Sequence, residues 1–425
     1  GSYYVEGECI AVDGCEWYGW QDGPGCSGNN IRTRTHSDTL IFDNWPPDMN
    51  YPRYGSAYTT DGQYIYAFNG AEYDVAGDSS IWHKHGERYF PAGDGTWEAF
   101  PAGNDSLYFN TPRRYASAEY VNGKIYIFNG NQNTNVVDII DVSTGTVSTS
   151  PTNPYPVYYG GSAVWNEKIY IFGGHYYTSD STIYSNRLYV FDPQDESWAQ
   201  LADMPNSKNT NGVIVDGVLY TFGGYNGTTA SSDIDAYYID SDVWENIGQM
   251  PVPLSSHSIA TDGSLIFVSG DYNNNIEFSG VYDVADGVFH DKTSNMIGRR
   301  HGCSVYLDDG LFVYGGNQPE GYNENESTIT LSNVQYGELI DTDDGEDEGA
   351  EVLIMNMNLM EFVAIILGLP FDSLGIDNPT VIGVYFDESE NGDIVVDWID
   401  GALFVGSYVL EIEPQDDSDI SSMVS

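Results

Sequence analysis

The feature that most constrains this chain is a short pattern that recurs six times between residues 45 and 339. In each copy an apolar run is followed by a small residue and a glycine. The six copies are Phe68-Asn69-Gly70, Phe128-Asn129-Gly130, Phe172-Gly173-Gly174, Phe222-Gly223-Gly224, Val268-Ser269-Gly270 and Tyr314-Gly315-Gly316. Their last glycines lie 60, 44, 50, 46 and 46 residues apart. Self-similarity at a period of roughly 20–50 residues is typical of repeat architectures, in which each repeat is one supersecondary unit.

Each copy of the pattern ends a predicted β-hairpin. The strands before two of the copies meet at Asn122-Gly123 and Asp216-Gly217, which supply the positive φ that a two-residue hairpin loop requires. A longer polar loop follows, then a third strand such as residues 187–192, and a fourth strand that carries an aromatic residue such as Trp198. The repeating unit is therefore predicted to be four antiparallel strands.

Four strands with a glycine-terminated doublet after the second strand resemble the kelch repeat over about 295 residues. Asn69, Asn129 and Ser269 stand where that family prefers glycine. The resemblance implies an all-β, six-bladed kelch-type propeller. Because an open ring would leave an exposed sheet edge, we expect residues 38–45 to be the closing strand of the sixth blade.

The remaining segments differ from the repeats in composition. We predict a Cys-containing extension over residues 1–37, the propeller over 38–339, an acidic linker over 340–350, a small α+β module over 351–413 and a polar tail over 414–425. Within the module we predict a strand over 351–357, a helix from 358 to about 369 and a hairpin of 380–387 with 393–399. Residues 401–413 fit either a helix or a strand. This order is similar to small ferredoxin-like modules such as the SEA domain.

The charge balance excludes some functions. The chain has 64 acidic and 14 basic residues, a net charge of −50, so nucleic-acid binding by a broad basic face is excluded. Such a surface favours a counterion-rich medium, and loosely bound Ca²⁺ is the one ion we expect. Residues 352–371 are interrupted by Asn356, Asn358 and Glu361, which predicts a buried helix and no membrane span.

Several features favour an extracellular or cell-surface location. The chain begins Gly1-Ser2, as a mature N-terminus does after a signal peptide is removed. The four cysteines, Cys9, Cys15, Cys26 and Cys303, suggest disulfides, with Cys303 bridged to one of the other three; free thiols are the alternative, and zinc is disfavoured because no CxxC is present. Glycosylation sequons begin at Asn104, Asn226 and Asn325.

No set of residues points to catalysis. Copper-radical oxidases on related propellers need a Tyr and His ligand set with a cross-linked Cys, and a sialidase needs an arginine triad. Neither pattern is present in the sequence, and no Ser/His/Asp set, phosphate-binding loop or HExxH motif occurs. We therefore predict that the chain is not an enzyme and has no resident cofactor or metal.

Arginine is the informative polar residue. Five of the nine arginines directly precede predicted first strands: Arg53, Arg113, Arg114, Arg299 and Arg300. The kelch resemblance places this position at the mouth of the central channel, and Tyr158, Asn209 and His257 occupy it in units three to five. A cluster of guanidinium groups there would hold a carboxylate or sulfate. The alternative is that these arginines hydrogen-bond carbonyl groups between blades.

These observations favour a non-catalytic extracellular interaction or assembly protein, a subunit of a surface filament, wall or matrix, with protein partners or further copies of itself. The alternative is a glycan-binding, lectin-like propeller, suggested by aromatic residues on loops: Trp17, Trp20, Tyr176 and Tyr177. A copper oxidase or a glycosidase on a propeller is the third reading.

Overall fold

The computed structural model describes residues 16–20, 23–27, 39–74, 79–93, 95–101, 109, 111–130, 135–150, 153–272, 274–320, 328–340, 380–387, 393–400 and 403–410. The chain divides into two compact units, residues 1–343 and 344–425. Within the described ranges all regular structure is β-strand, and none of it is a helix long and apolar enough to cross a membrane.

The first unit contains six four-stranded antiparallel sheets, the blades of a propeller. The strands of blades 1 to 3 are Ala57–Thr60, Ile65–Phe68, Gly86–Tyr89 and Trp97–Ala99; Ala116–Val121, Lys124–Asn129, Val137–Asp141 and Val147–Ser150; and Gly161–Trp165, Lys168–Phe172, Leu188–Asp192 and Ser197–Gln200. Those of blades 4 to 6 are Asn209–Val215, Val218–Tyr225, Ser231–Tyr238 and Val243–Leu254; Ser258–Thr261, Leu265–Ser269, Ser279–Asp283 and Val288–Asp291; and Cys303–Leu307, Gly310–Tyr314, Val334–Ile340 and Thr39–Asp43. The predicted all-β, six-bladed propeller is confirmed.

The first strand of each blade lies innermost. First strands of consecutive blades contact one another in the order one to six, and the sixth contacts the first again. They therefore enclose a central channel. We call the face where the first strands begin the upper face; the connections from second to third strand lie on it too. In blades 1, 3 and 6 these connections include a small extra hairpin: Ala71–Asp74 with Ser79–Trp82, His175–Tyr177 with Thr182–Tyr184, and Asn317–Gln318 with Ile329–Thr330.

The ring is closed by the strand Thr39–Asp43, which pairs antiparallel with Val334–Ile340. Leu40 and Phe42 are each only 1% exposed and join a core cluster that also contains residues of blade 5. The Asn295 side chain fixes this strand from blade 5: its Oδ1 accepts the Phe42 N–H at 2.8 Å and its Nδ2 donates to the Phe42 carbonyl at 2.7 Å.

Apolar residues fill the seams between blades. The fourth-strand Trp97 of blade 1 packs on Tyr314 of blade 6, with ring centroids 5.5 Å apart, and Trp198 of blade 3 packs edge-on against Phe128 of blade 2 at 5.9 Å. Each of these tryptophans thus covers the second strand of the preceding blade. Burial of such large aromatic side chains is the main source of stability in a packed seam.

The glycine doublets also lie at the seams. The N–H of Gly70 donates to the carbonyl of Arg113 in blade 2 at 2.9 Å, and the N–H of Gly316 donates to the carbonyl of Arg53 in blade 1 at 2.8 Å. At Gly316 φ is +88°, and an added Cβ would lie 2.8 Å from the Arg300 carbonyl oxygen. A side chain is therefore excluded at the last doublet position by both backbone conformation and space.

The structure changes one sequence prediction and decides between two alternatives that the sequence left open. Cys303 is a buried free thiol, which corrects the predicted disulfide at this position; the side chains of Cys9, Cys15 and Cys26 lie outside the described residues.

The second unit contains an antiparallel three-stranded sheet formed by Thr380–Asp387, Asp393–Asp400 and Leu403–Leu410. The segment that fitted either a helix or a strand is therefore a strand. The predicted strand 351–357, helix 358–369, linker and tail lie outside the described residues, as do Asn104 and Asn325.

Candidate binding site at the channel mouth

Three of the five arginines singled out in the sequence are buried between strands. Arg53, Arg113 and Arg299 are at most 1% exposed. Each donates from Nη1 to the carbonyl of the first doublet residue in its own blade: to Asn69 at 2.9 Å, Asn129 at 2.7 Å and Gly315 at 2.9 Å. These arginines hold the doublets in place and present no guanidinium to a ligand.

The same three arginines contact a polar residue on the third strand of their blade. Arg53 pairs with Glu87 at 2.9 Å, Arg113 pairs with Asp138 at 2.8 Å, and Arg299 donates to Oε1 of Gln335 at 3.0 Å. Arg299 has no carboxylate partner among these contacts, and its burial lowers the pKa of the guanidinium to about 10. All three side chains are structural.

Blade 4 has an equivalent pair that the sequence analysis missed. Lys208 lies at the arginine position, and its Nζ is 2.8 Å from Oδ2 of the buried Asp235. Asp235 lies opposite Thr221, the residue before Phe222, just as Glu87 lies opposite the residue before Phe68. An acidic residue in the third strand, opposite the residue that precedes the phenylalanine, therefore marks the pair and could have been found in the sequence.

Two residues after the arginine position, backbone hydrogen bonds form an open ring around the channel that lacks blade 4. Five of these residues adopt positive φ: Gly55 at 61°, Tyr115 at 60°, Tyr159 at 56°, Ser256 at 56° and His301 at 57°. Tyr159 N–H donates to Tyr115 O at 3.0 Å, Tyr115 to Gly55 at 2.7 Å, Gly55 to His301 at 2.9 Å and His301 to Ser256 at 2.8 Å. The ring thus links blades 3, 2, 1, 6 and 5.

Positive φ in a tyrosine or histidine costs about 1–3 kcal/mol, and such residues cluster at ligand-binding sites. Here the strained residues form an aromatic group at the upper end of the channel. Tyr115 and Tyr159 stack with ring centroids 3.6 Å apart, and His301 lies 5.1 Å from Tyr115. His301 Nδ1 is 3.0 Å from Oδ1 of Asn317, and burial lowers the pKa of the imidazole to about 3, so the ring is neutral.

Arg114 and Arg300, the other two arginines, lie beside this group on the upper face. The Arg114 guanidinium carbon is 4.8 Å from the ring centroids of both Trp82 and Tyr115, and its Nη1 donates to the Tyr54 hydroxyl at 2.9 Å. The Arg300 guanidinium carbon is 4.6 Å from the Tyr272 ring. Both cations are therefore held by aromatic faces.

The two guanidinium groups keep unused donors. Neither Arg114 nor Arg300 forms an ion pair within the described part of the chain, and the Nε of each is buried without a hydrogen-bond partner. The positive charges of Arg114 and Arg300 also help to lower the pKa of the nearby His301 imidazole. We name Tyr54, Trp82, Arg114, Tyr115, Tyr272 and Arg300 the mouth site.

The remaining predicted residues are not part of the mouth site. Tyr158 stacks on His175 of the blade 3 hairpin with centroids 5.7 Å apart. His257 is 3% exposed and lines the channel; burial lowers its pKa to about 4. Tyr177 is exposed on the same hairpin, whereas Trp17 and Trp20 fall in the separate hairpin Glu16–Trp20 with Gly23–Ser27. The structure thus brings two of the predicted ligand-binding residues together.

Comparison with known proteins gives a consistent picture. A family model, the KLHDC2/KLHL20/DRC7 Kelch-repeats domain, matches residues 55–271. Among curated proteins, Kelch domain-containing protein 10 of Homo sapiens is 26% identical over 258 residues, which cover 53% of this chain and 56% of that protein. Kelch repeat and BTB domain-containing protein 2 of cowpox virus (strain GRI-90 / Grishak) is 25% identical over 147 residues, 34% of this chain and 26% of that protein.

The match therefore spans about half or less of the length of these curated relatives. Among solved structures, that of YjhT superposes with a TM-score of 0.54 at 14% identity, covering 68% of this chain and 99% of that one. At this identity the superposition shows a shared fold.

Proposed function

The chain belongs to the kelch-repeat family of β-propellers, and we propose that it is an interaction protein whose mouth site binds a carboxylate-bearing segment of a partner protein. Kelch-repeat propellers generally mediate protein–protein interactions. The observation that carries the proposal is that Arg114 and Arg300 form no ion pair in the described residues although the chain has 64 acidic side chains.

The electrostatics of the site favour an anionic partner group. Most of the surface carries the charge of a protein with net −50, so it repels acidic segments that come within the screening length of salt solution, about 8–10 Å. At the mouth, two guanidinium groups with unused N–H donors replace this repulsion by a local attraction for acidic groups. Hydrogen bonds from guanidinium to carboxylate are roughly twice as strong as neutral ones.

The aromatic composition favours a protein partner over a free ion. Tyr, Trp and Arg are the residues most enriched among those that dominate binding energy at protein interfaces, and the mouth site consists only of these three types. On the same upper face, Ile81 is 51% and Tyr177 53% exposed on the hairpins of blades 1 and 3. These side chains supply apolar area on the face that carries the two guanidinium groups.

The proposed partner segment is acidic, and other copies of this chain carry such segments. The turns on the face opposite the mouth site carry aspartates such as Asp141, Asp262 and Asp283, which accept hydrogen bonds from the turn N–H groups. A contact between the upper face of one copy and the opposite face of the next would be heterologous, and such contacts propagate into filaments when they do not close.

We further propose that this binding serves a non-catalytic assembly outside the cell, in a surface filament, wall or matrix. Two features support the location. The net charge of −50 is best tolerated where counterions screen it, and Asn226, the first residue of a glycosylation sequon, is exposed in a loop of blade 4. Mass spectrometry of native material tests it: an unmodified Asn226 in monomeric, intracellular protein would contradict this location.

The binding proposal is tested by fluorescence polarisation with a labelled acidic peptide, for which residues 341–351 of this chain are suitable. Arg114→Ser and Arg300→Ser should each weaken binding about tenfold, since one charged hydrogen bond contributes roughly 1.5 kcal/mol or more. Arg187→Ser is the matched control because Arg187 forms an exposed ion pair with Asp203 at 3.3 Å and is not part of the mouth site. Equal affinities for all three variants would refute the site, as would equal binding of a peptide with every Asp and Glu replaced by Asn and Gln.

A further inference from the structure

The channel below the mouth site contains a second candidate site. We infer that it binds a small uncharged polyhydroxylated molecule, about the size of a monosaccharide. The cavity has a volume of about 290 Å³ and is lined by residues of all six first strands and the segments that lead into them. Pockets for drug-sized ligands measure about 300–1,000 Å³, so this cavity suits a smaller molecule.

The charge of the cavity wall excludes an anionic ligand. Glu119 is its one ionisable carboxyl, and no Lys or Arg lies among the lining residues. The two lining imidazoles, His257 and His301, are neutral because burial lowers their pKa values to about 4 and about 3. An anion here would meet no cationic side chain in the cavity wall. The arginines of the mouth site are not part of this wall, so the two sites differ in ligand chemistry.

The state of Glu119 also disfavours a cation. Ser162 donates to its Oε1 at 2.7 Å, and burial raises the pKa of this carboxyl to about 7. Near neutral pH the protonated and ionised forms of Glu119 are therefore both well populated. A single carboxyl in this state is a weak cation ligand, and the described residues contain no group of three acidic, His or Cys side chains that would hold a metal ion. As a mixed donor and acceptor, it suits a ligand hydroxyl.

Hydroxyl groups dominate the polar part of the wall. Five serines, three threonines and four tyrosines make up twelve of the 29 lining residues. Each hydroxyl both donates and accepts, and so does each hydroxyl of a polyol. The Oγ of Ser117, next to Glu119 on the blade 2 strand, is buried without a hydrogen-bond partner, and the Asn211 amide lies on the blade 4 side of the same cavity. These groups can be satisfied by a ligand that offers several hydroxyls at once.

The upper end of the cavity provides an apolar surface for the same ligand. Tyr115 and Tyr159, stacked at 3.6 Å, both line it. Aromatic lining of this kind supplies apolar contact while polar groups beneath satisfy the hydroxyls, the arrangement of a concave site with a few convergent polar groups. Tyr115 belongs to both sites, so the two are adjacent, but the groups that would bind their ligands are different: the arginines in the mouth site, and Glu119 and the hydroxyls in the cavity.

The test uses the whole chain and four small probes, D-glucose, myo-inositol, glucuronate and glucosamine, with binding followed by saturation-transfer NMR and by the shift in Tm. A neutral probe should bind saturably below about 50 mM, a concentration that saturates a site of millimolar affinity. Glucuronate should bind at least about tenfold more weakly than glucose because no cation faces it. Glu119→Gln should retain binding, since an amide also donates and accepts, whereas Glu119→Leu should weaken it about tenfold or more.

Glu98→Leu is the matched control, because Glu98 lies on an outer strand and pairs with Arg88 at the surface. If Glu119→Leu does not fold, Ser162→Ala takes its place. Any of three results would overturn the proposal. If no neutral probe binds, water is the occupant, and if glucuronate binds as tightly as glucose, the wall does not select against anions. If glucosamine binds tightest and loses this preference in Glu119→Gln, the cavity is a cation site. Failure here leaves the mouth site untouched, because its test uses a peptide and different variants.

Discussion

The hydroxyl of Tyr159 lies 2.9 Å from Nε2 of His301, a residue 142 positions later in the chain. Tyr159 belongs to blade 3 and His301 to blade 6, so the contact joins opposite sides of the channel. With Nδ1 of His301 directed at Asn317, the tyrosine hydroxyl donates and Nε2 accepts. Both residues have positive φ, and the contact helps to hold that conformation.

Removing this hydroxyl should measurably destabilise the propeller. Tyr159→Phe leaves a buried imidazole nitrogen without its partner, which costs about 1–3 kcal/mol. Urea unfolding of Tyr159→Phe, His301→Gln and the double variant gives the coupling energy of the pair. Strictly additive single effects would show that the two residues do not stabilise each other in solution.

Gly55→Ala should be far more damaging than Gly62→Ala. Both glycines have positive φ, at 61° and 84°, but a Cβ at Gly55 would lie 2.5 Å from a ring carbon of Tyr115, whereas nothing lies within 4 Å of one at Gly62. The control therefore reports backbone strain alone, about 1 kcal/mol. Gly55→Ala adds overpacking, typically about 1–3 kcal/mol more. Equal Tm values for the two variants would contradict the close packing at the ring.

Acidification should destabilise the fold partly through His257. Its folded pKa of about 4 lies below the unfolded value near 6.5. The unfolded state therefore takes up the proton first as the pH falls from about 6.5, and the stability that the neutral imidazole provides is lost between roughly pH 6.5 and 4. Glu119 acts in the opposite sense, because its folded pKa is raised to about 7: its contribution is present below about pH 4.5 and is lost as the pH rises towards 7.

The measurement is the free energy of unfolding at pH 4.5, 5.5, 6.5 and 7.5. His257→Gln should reduce the slope below pH 6.5 by up to about 1.4 kcal/mol per pH unit, the effect of one proton. Glu119→Gln is the matched comparison and should increase the slope, because the raised pKa of Glu119 acts in the opposite sense. An unchanged slope in His257→Gln would mean that His257 takes up its proton over the same pH range in the folded and unfolded states.

Deletion of residues 1–45 should destabilise the propeller far more than deletion of residues 1–38. The shorter deletion keeps the strand Thr39–Asp43, whereas the longer one removes it together with Leu40 and Phe42. Each of these buried side chains is worth about 1.5–3 kcal/mol, and the bared third strand of blade 6 becomes an exposed edge. Thermal unfolding and light scattering distinguish the two proteins. Matching Tm values and equal aggregation would show that the strand does not close the ring.

The blades could be predicted from the spacing of the repeats and from the residues in their turns, because strands that pair within one repeat are close in the sequence. Three doublets begin with a residue other than glycine, and the structure explains each of them. Asn69 and Asn129 take positive φ, which asparagine tolerates, while Ser269 ends a regular strand. The arginines were harder to assign. Arg113 and Arg114 are neighbours, and alternation sends one side chain into the seam and the other onto the face, but which goes where depends on the blade that packs against them.

The site itself was predicted in part. Sequence spacing identified Arg114 and Arg300, but it gave no sign of the ring residues Tyr115, Tyr159 and His301. Their positive φ arises from hydrogen bonds between blades that are distant in the sequence, and local propensity opposes it. Glu119 was likewise missed, because nothing in the residues around it shows that this strand position faces the channel.

The pairing of Thr39–Asp43 with Val334–Ile340 has a consequence for how the protein is made. The closing strand leaves the ribosome about 290 residues ahead of its partner, which at roughly 5–20 residues per second is a delay of about 15–60 seconds. During that time Leu40 and Phe42 have no blade to enter, while blades 1 to 5 are already able to fold. Closure of the ring therefore waits until Val334–Ile340 has been synthesised, and until then the nascent chain presents a short apolar strand to any chaperone near the ribosome exit.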